Sequence, residues 1–431
     1  MAISVLRGTH RLRFSPPWLA RSSEASAFYN PQGRECYGIQ SRFPELGPTV
    51  TAFKAGHLQS EPLDLRSKSG VAQCGFGLNR GRFSSTCVGR SLHITCPGVR
   101  RASTSAAAEA GTSQGPDPAD GSLEDVEGVT VKHRFVSNGG QRLHYVEAGD
   151  PGGQLAVLLH GWPSFWYCWV YQLKPLVEAG YHVVIPDMRG YNLSDKPSNL
   201  ADSGRYNLSD QPRNLADFGR EPCLSDIKLL IEKSSGGRPA NLIAHDWGGA
   251  IAWHFVRSYP HLVSRLVTLN IPETSTFNDA LEHNKEQRKK SWYIAFFQIP
   301  FLPEWLLSRN NYKGLQIALK GSKPRTEELL RRHVDAFSRP GALTASINYY
   351  RAGGRGHWAP AGDPPGRVEL PVKVIWGEDD VALGKELAAP PKELVPNHEV
   401  VFLPGVSHWC MWDDPERVSA EILDFLAKDV S

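Results

Sequence analysis

Five uninterrupted apolar runs most constrain how this chain can fold: residues 155–159 (LAVLL), 182–185 (HVVI), 241–244 (NLIA), 266–269 (LVTL) and 372–376 (VKVIW). They lack the alternation of a strand with one wet face, so they read as strands buried on both sides of a mostly parallel sheet. The segments between them are long enough for crossover helices, which predicts an α/β chain with helices on both faces of the sheet. Ahead of these runs, residues 129–136 and 142–146 alternate around Asn138, Gly139 and Gly140, the pattern of an initial hairpin. Roughly a hundred residues separate the fourth run from the fifth, far more than one crossover needs. Within them residues 292–307, 326–337 and 343–350 read as helices, which places an inserted helical cap at about 273–368.

The first part of the chain has a different texture. Residues 1–101 carry fourteen basic and five acidic side chains, whereas residues 102–431 carry 34 and 40. Eleven of the twelve Trp residues lie from Trp162 onward, so the leader lacks the aromatic mass of a core. Residues 1–120 read as an organellar transit peptide and linker ahead of a catalytic domain at 121–431. The Met1-Ala2 start and the Ser content favour a plastid address; the other readings are a mitochondrial signal, or a cytoplasmic enzyme with a gene-model extension. The seven Cys show neither CxxC spacing nor a nearby His, so no metal site or disulfide framework is expected. No membrane span and no nucleic-acid partner are expected either, since no apolar run reaches eighteen residues and the basic charge lacks an aromatic-basic module. Residues 191–205 and 206–220 are tandem copies agreeing at twelve of fifteen positions. Two polar, Pro-containing copies cannot build a stacked array, so residues 191–220 read as a duplicated surface loop, tolerated because extra loop length adds little closure entropy.

The chemistry is concentrated at strand ends. In Ala244-His245-Asp246-Trp247-Gly248-Gly249 a buried run gives way to a helix, with small residues two before and two after Asp246, as a strained strand-to-helix turn requires. Such a turn lifts Asp246 above the sheet at a helix N-terminus, which favours an anion. A Ser nucleophile would form a stable ether at saturated carbon, whereas a carboxylate forms an alkyl ester that water can still cleave. His160-Gly161-Trp162-Pro163 ends the first run, where a loop N–H would hold an oxyanion, so the N–H groups of Trp162 and Trp247 are the candidate oxyanion hole. After the fifth run come Glu378, Asp379 and Asp380, and a further apolar segment, 399–403, leads to His408. The order nucleophile, acid, histidine suits His408 as general base with an acid fixing its tautomer. Asp380 is the choice because it lies farthest past the strand end. Two cap stretches, 291–298 and 347–351, offer Tyr hydroxyls that could donate to a leaving oxygen; Trp166, Trp169, Phe297, Trp358 and Trp412 read as apolar lining or core.

These motifs together resemble the soluble, cap-bearing epoxide hydrolases of the α/β-hydrolase fold, close to plant and bacterial members, from about Asp125 to the C-terminus. The resemblance rests on H-G-W-P at 160–163, D-M-R-G-Y-N-x-S-D-K-P at 187–197, A-H-D-W-G-G at 244–249, the Tyr293 stretch ending in F-F-Q, N-Y-Y-R at 348–351, W-G-E-x-D at 376–380 and S-H-W at 407–409. It implies that Tyr293 and Tyr350, rather than Tyr349, polarise the epoxide oxygen, and that Asp380 is the acid. It further implies a small apolar epoxide and water as the reactants, no cofactor, and a monomer or homodimer. The family needs one copy of the 191–220 segment and has no counterpart to the leader. A haloalkane or haloacid dehalogenase would share the Asp nucleophile but have no use for the Tyr pair; a non-catalytic hydrolase-fold binding protein would have no use for the triad.

Overall fold

A computed structural model of the chain describes residues 116–197, 215–359 and 366–428, so the leader up to residue 115 and residues 198–214 of the duplicated segment lie outside the described residues. The strands are β1 (Leu123–Val126), β2 (Val129–Asn138), β3 (Gln141–Ala148), β4 (Gln154–Leu159), β5 (Tyr181–Pro186), β6 (Ala240–His245), β7 (Val263–Leu269), β8 (Val372–Gly377) and β9 (His398–Leu403). They form one sheet in the order β1-β2-β3-β5-β4-β6-β7-β8-β9. The first hairpin and the β3–β5 pair are antiparallel, and every pair from β5 to β9 is parallel. The apolar runs behave as their composition demands: every residue of β6 and β8 is buried. Helix α1 (Val170–Glu178) packs on the last helix of the chain, and α2 (Arg220–Ser234) on α3 (Trp247–Ser258). Because β4, β6, β8 and β9 run parallel, the loops leaving their C-terminal ends share one edge of the sheet.

Among the described residues between β7 and β8 stand six helices: α4 (Thr274–His283), α5 (Lys285–Lys290), α6 (Trp292–Phe296), α7 (Leu302–Ala318), α8 (Glu327–Ser338) and α9 (Ala342–Gly354). The C-terminal elements are α10 (Cys410–Asp413) and α11 (Pro415–Ala427). Helix α8 shows how the sequence sets a boundary. The Thr326 hydroxyl accepts from the Leu329 N–H at 3.1 Å, Glu327 and Glu328 occupy the first turn, and Leu329, His333, Val334 and Phe337 form the buried face. The single helix expected over 292–307 is two. Helix α6 stops at Phe296, Pro300 supplies no N–H, and Phe301 sits at φ 61°, outside helical space. Helix α7 is itself kinked, with Asn310, Asn311 and Tyr312 at φ 52–57°, and the chain folds back so that Gly314 abuts Leu306 and Leu307. No helix among the described residues is long and apolar enough to cross a membrane.

The duplicated segment is not wholly superficial. In the first copy Tyr191 and Ser194 are buried, Tyr191 against His160 and Tyr349; in the second, Phe218 is buried beneath Gly190 and against Tyr349. The copies differ at that position, where the first has Ser203, so only the second can supply this aromatic ring.

Candidate active site

The β6–α3 turn is tight because its neighbours are small. Asp246 has φ 49° and ψ −123°, a conformation that costs a non-glycine residue on the order of 1–3 kcal/mol. A Cβ on Gly248 would lie 2.5 Å from the carbonyl oxygen of Leu159, and one on Gly161 would overlap the Asp246 carboxylate itself. The turn therefore brings Asp246 against the His160–Gly161 loop. There the Trp162 N–H donates to Asp246 Oδ1 at 2.7 Å, and the Trp247 N–H acts on the same carboxylate. Both expected oxyanion donors thus act on the carboxylate of the expected nucleophile. The loop is braced from below: the Met188 N–H donates to His160 Nε2 at 2.9 Å, and burial pushes the His160 imidazole down to about 4, so it stays neutral and fit to accept.

His408 stands on the other side. Its Nε2 is 3.7 Å from Asp246 Oδ2, and its Nδ1 is 2.7 Å from Asp380 Oδ2. Glu378 instead pairs with exposed Lys385, so of the three acids after β8 it is Asp380 that meets the imidazole. Burial is the largest influence on each member, and the charges decide the outcome. Burial lifts Asp246 above the ordinary carboxylate range, with His408 and the two N–H groups pulling back. Burial would lift Asp380 as well, but His408 and the hydrogen bonds from Asn270 and Leu383 hold it below that range. Burial would depress His408, and Asp380 followed by Asp246 raises it above the ordinary imidazole value.

The cap supplies the roof. The rings of Tyr293 and Tyr350 meet edge to face at 5.8 Å, and both pack against Phe297. Tyr350 also contacts Trp162 and Trp247. Burial first, then the Asp246 charge, raises both phenols, so both keep their protons. Tyr349 points elsewhere: its hydroxyl donates to the Arg189 carbonyl at 2.8 Å. Trp166, Trp169 and Trp412 are core, Phe297 lines the Tyr pair, and Trp358 packs on Trp247.

A backbone donor pair, a buried carboxylate, a His–Asp pair and two roofing phenols can hold an apolar molecule over a nucleophile and then hydrolyse what forms. The alpha/beta hydrolase fold family model matches residues 156–415. The AB hydrolase superfamily protein YfhM of Bacillus subtilis is 40% identical over 69% of this chain and 98% of its own length. Epoxide hydrolase 4 of Homo sapiens is 35% identical over 68% of this chain and 78% of its own. The chain belongs to the epoxide hydrolases of the α/β-hydrolase fold. An epoxide hydrolase of Bacillus megaterium, crystallised with an inhibitor, superposes with a TM-score of 0.59 at 28% identity, covering 68% of this chain and all of that one.

Against that family framework, several supporting residues escaped the sequence reading. Asn270, at φ 44° after β7, donates to Asp380 Oδ2 at 2.8 Å and accepts from the Gly377 N–H at 2.9 Å, clamping the acid's loop. Asp413 accepts from the Ser407 N–H at 2.9 Å and from Arg325 at 2.7 Å, tying the loop before His408 to the cap. Gln298 donates to the Tyr350 carbonyl at 2.9 Å, and Arg351 donates to the Phe297 carbonyl at 2.9 Å while pairing with Glu304. These last contacts give the F-F-Q and N-Y-Y-R motifs their physical sense, since they fasten the helix of Tyr293 to the helix of Tyr350.

Proposed function

We propose that this chain hydrolyses small apolar epoxides to vicinal diols through a covalent ester on Asp246. The observation that carries the reading is one buried carboxylate held by the Trp162 and Trp247 N–H groups, with His408 Nε2 3.7 Å from its Oδ2 and the protonated Tyr293 and Tyr350 close enough to feel its charge. Asp246 Oδ2, the oxygen not held by Trp162, attacks a ring carbon from the back. The C–O bond of the ring breaks, and Tyr293 and Tyr350 donate to the departing oxygen, lowering the cost of the alkoxide. The alkyl ester keeps its carbonyl oxygen at Trp162 and Trp247. His408, oriented by Asp380, takes a proton from water as the water oxygen adds to the ester carbon. The tetrahedral oxyanion rests on the two N–H groups and collapses with cleavage of the bond from the ester carbon to Oδ2. The remaining proton of the added water passes to the departing oxygen and the proton on His408 goes to the oxygen freed at ring opening, so a neutral diol leaves and the carboxylate and neutral His408 are restored. The aromatic surroundings of Tyr293 and Tyr350 favour an apolar substituent on the epoxide.

The test is a single turnover of an aryl epoxide in oxygen-18 water. The label is expected in the Asp246 carboxylate and not in the first diol released. Label in that diol and none in Asp246 would show direct attack by water and refute the ester. The Asp246→Ala variant is expected to leave no measurable epoxide turnover.

A further inference from the structure

The outer face of the cap is unusual for a soluble surface. Of the nine large apolar side chains exposed among the described residues, six fall between Trp292 and Ile317. On α7, Leu302, Trp305 and Leu306 follow an i, i+3, i+4 spacing, the stripe a helix ordinarily turns to its core, yet all three face solvent. Trp292 on α6 is 63% exposed and Trp305 is 53% exposed. Trp292 is the immediate neighbour of Tyr293, so one short helix presents its tyrosine inward and its tryptophan outward.

The charge of the same stretch of chain is equally uneven. Residues 285–323 contain eight Lys and Arg and only two acids, within a region (102–431) whose own balance is six negative. Lys289, Arg309, Lys313 and Lys320 are exposed, and the Arg309 guanidinium lies 4.3 Å over the Trp305 ring with its charge left to solvent. Exposed Trp and Leu flanked by Lys and Arg match the two layers of a lipid surface, an apolar interior under an anionic headgroup plane. A second copy of the chain would bring the same basic segment against itself, so like charges oppose a symmetric dimer through this face.

We propose that the outer face of the cap, centred on Trp292, Leu302, Trp305 and Leu306, docks on the surface of a bilayer containing anionic lipid. The function reading above gives this docking its use, because an apolar epoxide dissolves in the bilayer and the Tyr-bearing helix would stand directly over it. The binding itself is independent of that reading and is measured without turnover.

The experiment is co-sedimentation of the full chain with vesicles of phosphatidylcholine alone or mixed with phosphatidylglycerol, at low and high salt. Binding to the mixed vesicles is expected to be at least about tenfold tighter and to weaken with salt. The double variant Trp305→Glu/Leu306→Glu is expected to lose about tenfold or more. Lys313→Glu/Lys320→Glu is expected to lose a similar amount and to flatten the salt dependence. Each variant should turn over a water-soluble epoxide at the wild-type rate, which establishes its fold. Three outcomes overturn the proposal: equal binding to neutral and mixed vesicles; variants that bind like the wild type, which would assign the binding to the basic leader; or a wild-type dimer that Trp305→Glu/Leu306→Glu dissolves while no chain binds vesicles. Loss of epoxide turnover with intact vesicle binding would refute the function reading and leave the docking standing.

Discussion

Replacing Asp380 by Asn is expected to separate the two chemical steps of the proposed cycle. The Asp380 carboxylate serves two groups of partners: Oδ1 accepts from the N–H groups of Ala382 and Leu383 at 2.7 and 2.9 Å, and Oδ2 takes His408 Nδ1 and Asn270 Nδ2 at 2.7 and 2.8 Å. An amide can satisfy only one group. If its oxygen stays with Ala382 and Leu383, its NH2 faces His408 Nδ1, the imidazole proton moves to Nε2, and the ring can no longer accept a proton from water. Turning the amide restores the tautomer but opposes two backbone N–H groups to an NH2. Each lost bond costs about 1–3 kcal/mol, or about 2–6 kcal/mol for both. That corresponds to a roughly 30- to 25,000-fold loss in the rate of ester hydrolysis, which brackets the loss of about ten-thousandfold when a Ser-His-Asp triad receives the same change. Attack by Asp246 needs no proton from that ring, so alkylation is expected to slow by less than about tenfold. Rapid mixing with an aryl epoxide, followed by Trp fluorescence and intact-mass measurement, would then find enzyme accumulating with the mass of one substrate added. Equal slowing of both steps with no adduct would refute the division of labour between Asp246 and the His408–Asp380 pair.

Three further outcomes are expected. Tyr350→Phe should slow ring opening by about a hundredfold or more while leaving ester hydrolysis near wild type, whereas Tyr349→Phe, which loses the bond to the Arg189 carbonyl and the contact of the same hydroxyl with Cys223, should cost about 1–2 kcal/mol in denaturant stability and little activity; pre-steady-state rates and urea melts check both. Gly161→Ala should abolish alkylation, because the new Cβ would occupy the space of the Asp246 carboxylate, and detection of an adduct at the wild-type rate would contradict the turn geometry. In the resting enzyme Asp246 is one of two carboxylates that raise His408, after Asp380. In the proposed cycle esterification removes that charge, and hydrolysis needs His408 neutral. The acid limb of ester hydrolysis should therefore fall at lower pH than the titration of His408 in the free enzyme, as read by single-turnover rates and by NMR of the imidazole; a limb at equal or higher pH would be the wrong sign.

The elements that position the site were legible because each is announced locally. Apolar runs declare the strands, and Asp246, Asp380 and His408 each lie in the loop that leaves one. The small residues around Asp246 declare the turn, and the Gly248 contact with the Leu159 carbonyl is its cause. Less could be read where the decisive partner is remote. Asn270 is an unremarked polar residue until Asp380, 110 positions later, folds onto it, and Asp413 acquires meaning only with Arg325 beside it. The helix break before α7 was hidden by apolar periodicity that continues through Pro300 and Phe301, where backbone conformation rather than pattern decides. In the duplicated segment the twelve identical positions cannot say which side chains of each copy are buried; among the described residues Tyr191 and Ser194 of the first copy and Phe218 of the second are.

The grip of Trp162 on Asp246 Oδ1 also means that the two oxygens of this carboxylate have different lifetimes. In the proposed cycle Oδ2 leaves with the diol and is renewed from solvent at each turnover, while Oδ1, fixed at 2.7 Å by a backbone N–H, never enters the product. One oxygen atom of the nucleophile is then as old as the polypeptide and the other is as young as the last catalytic event. The number of diols that still carry an original enzyme oxygen counts how often the carboxylate rotates: one per molecule if the grip holds through catalysis, two if it lets go.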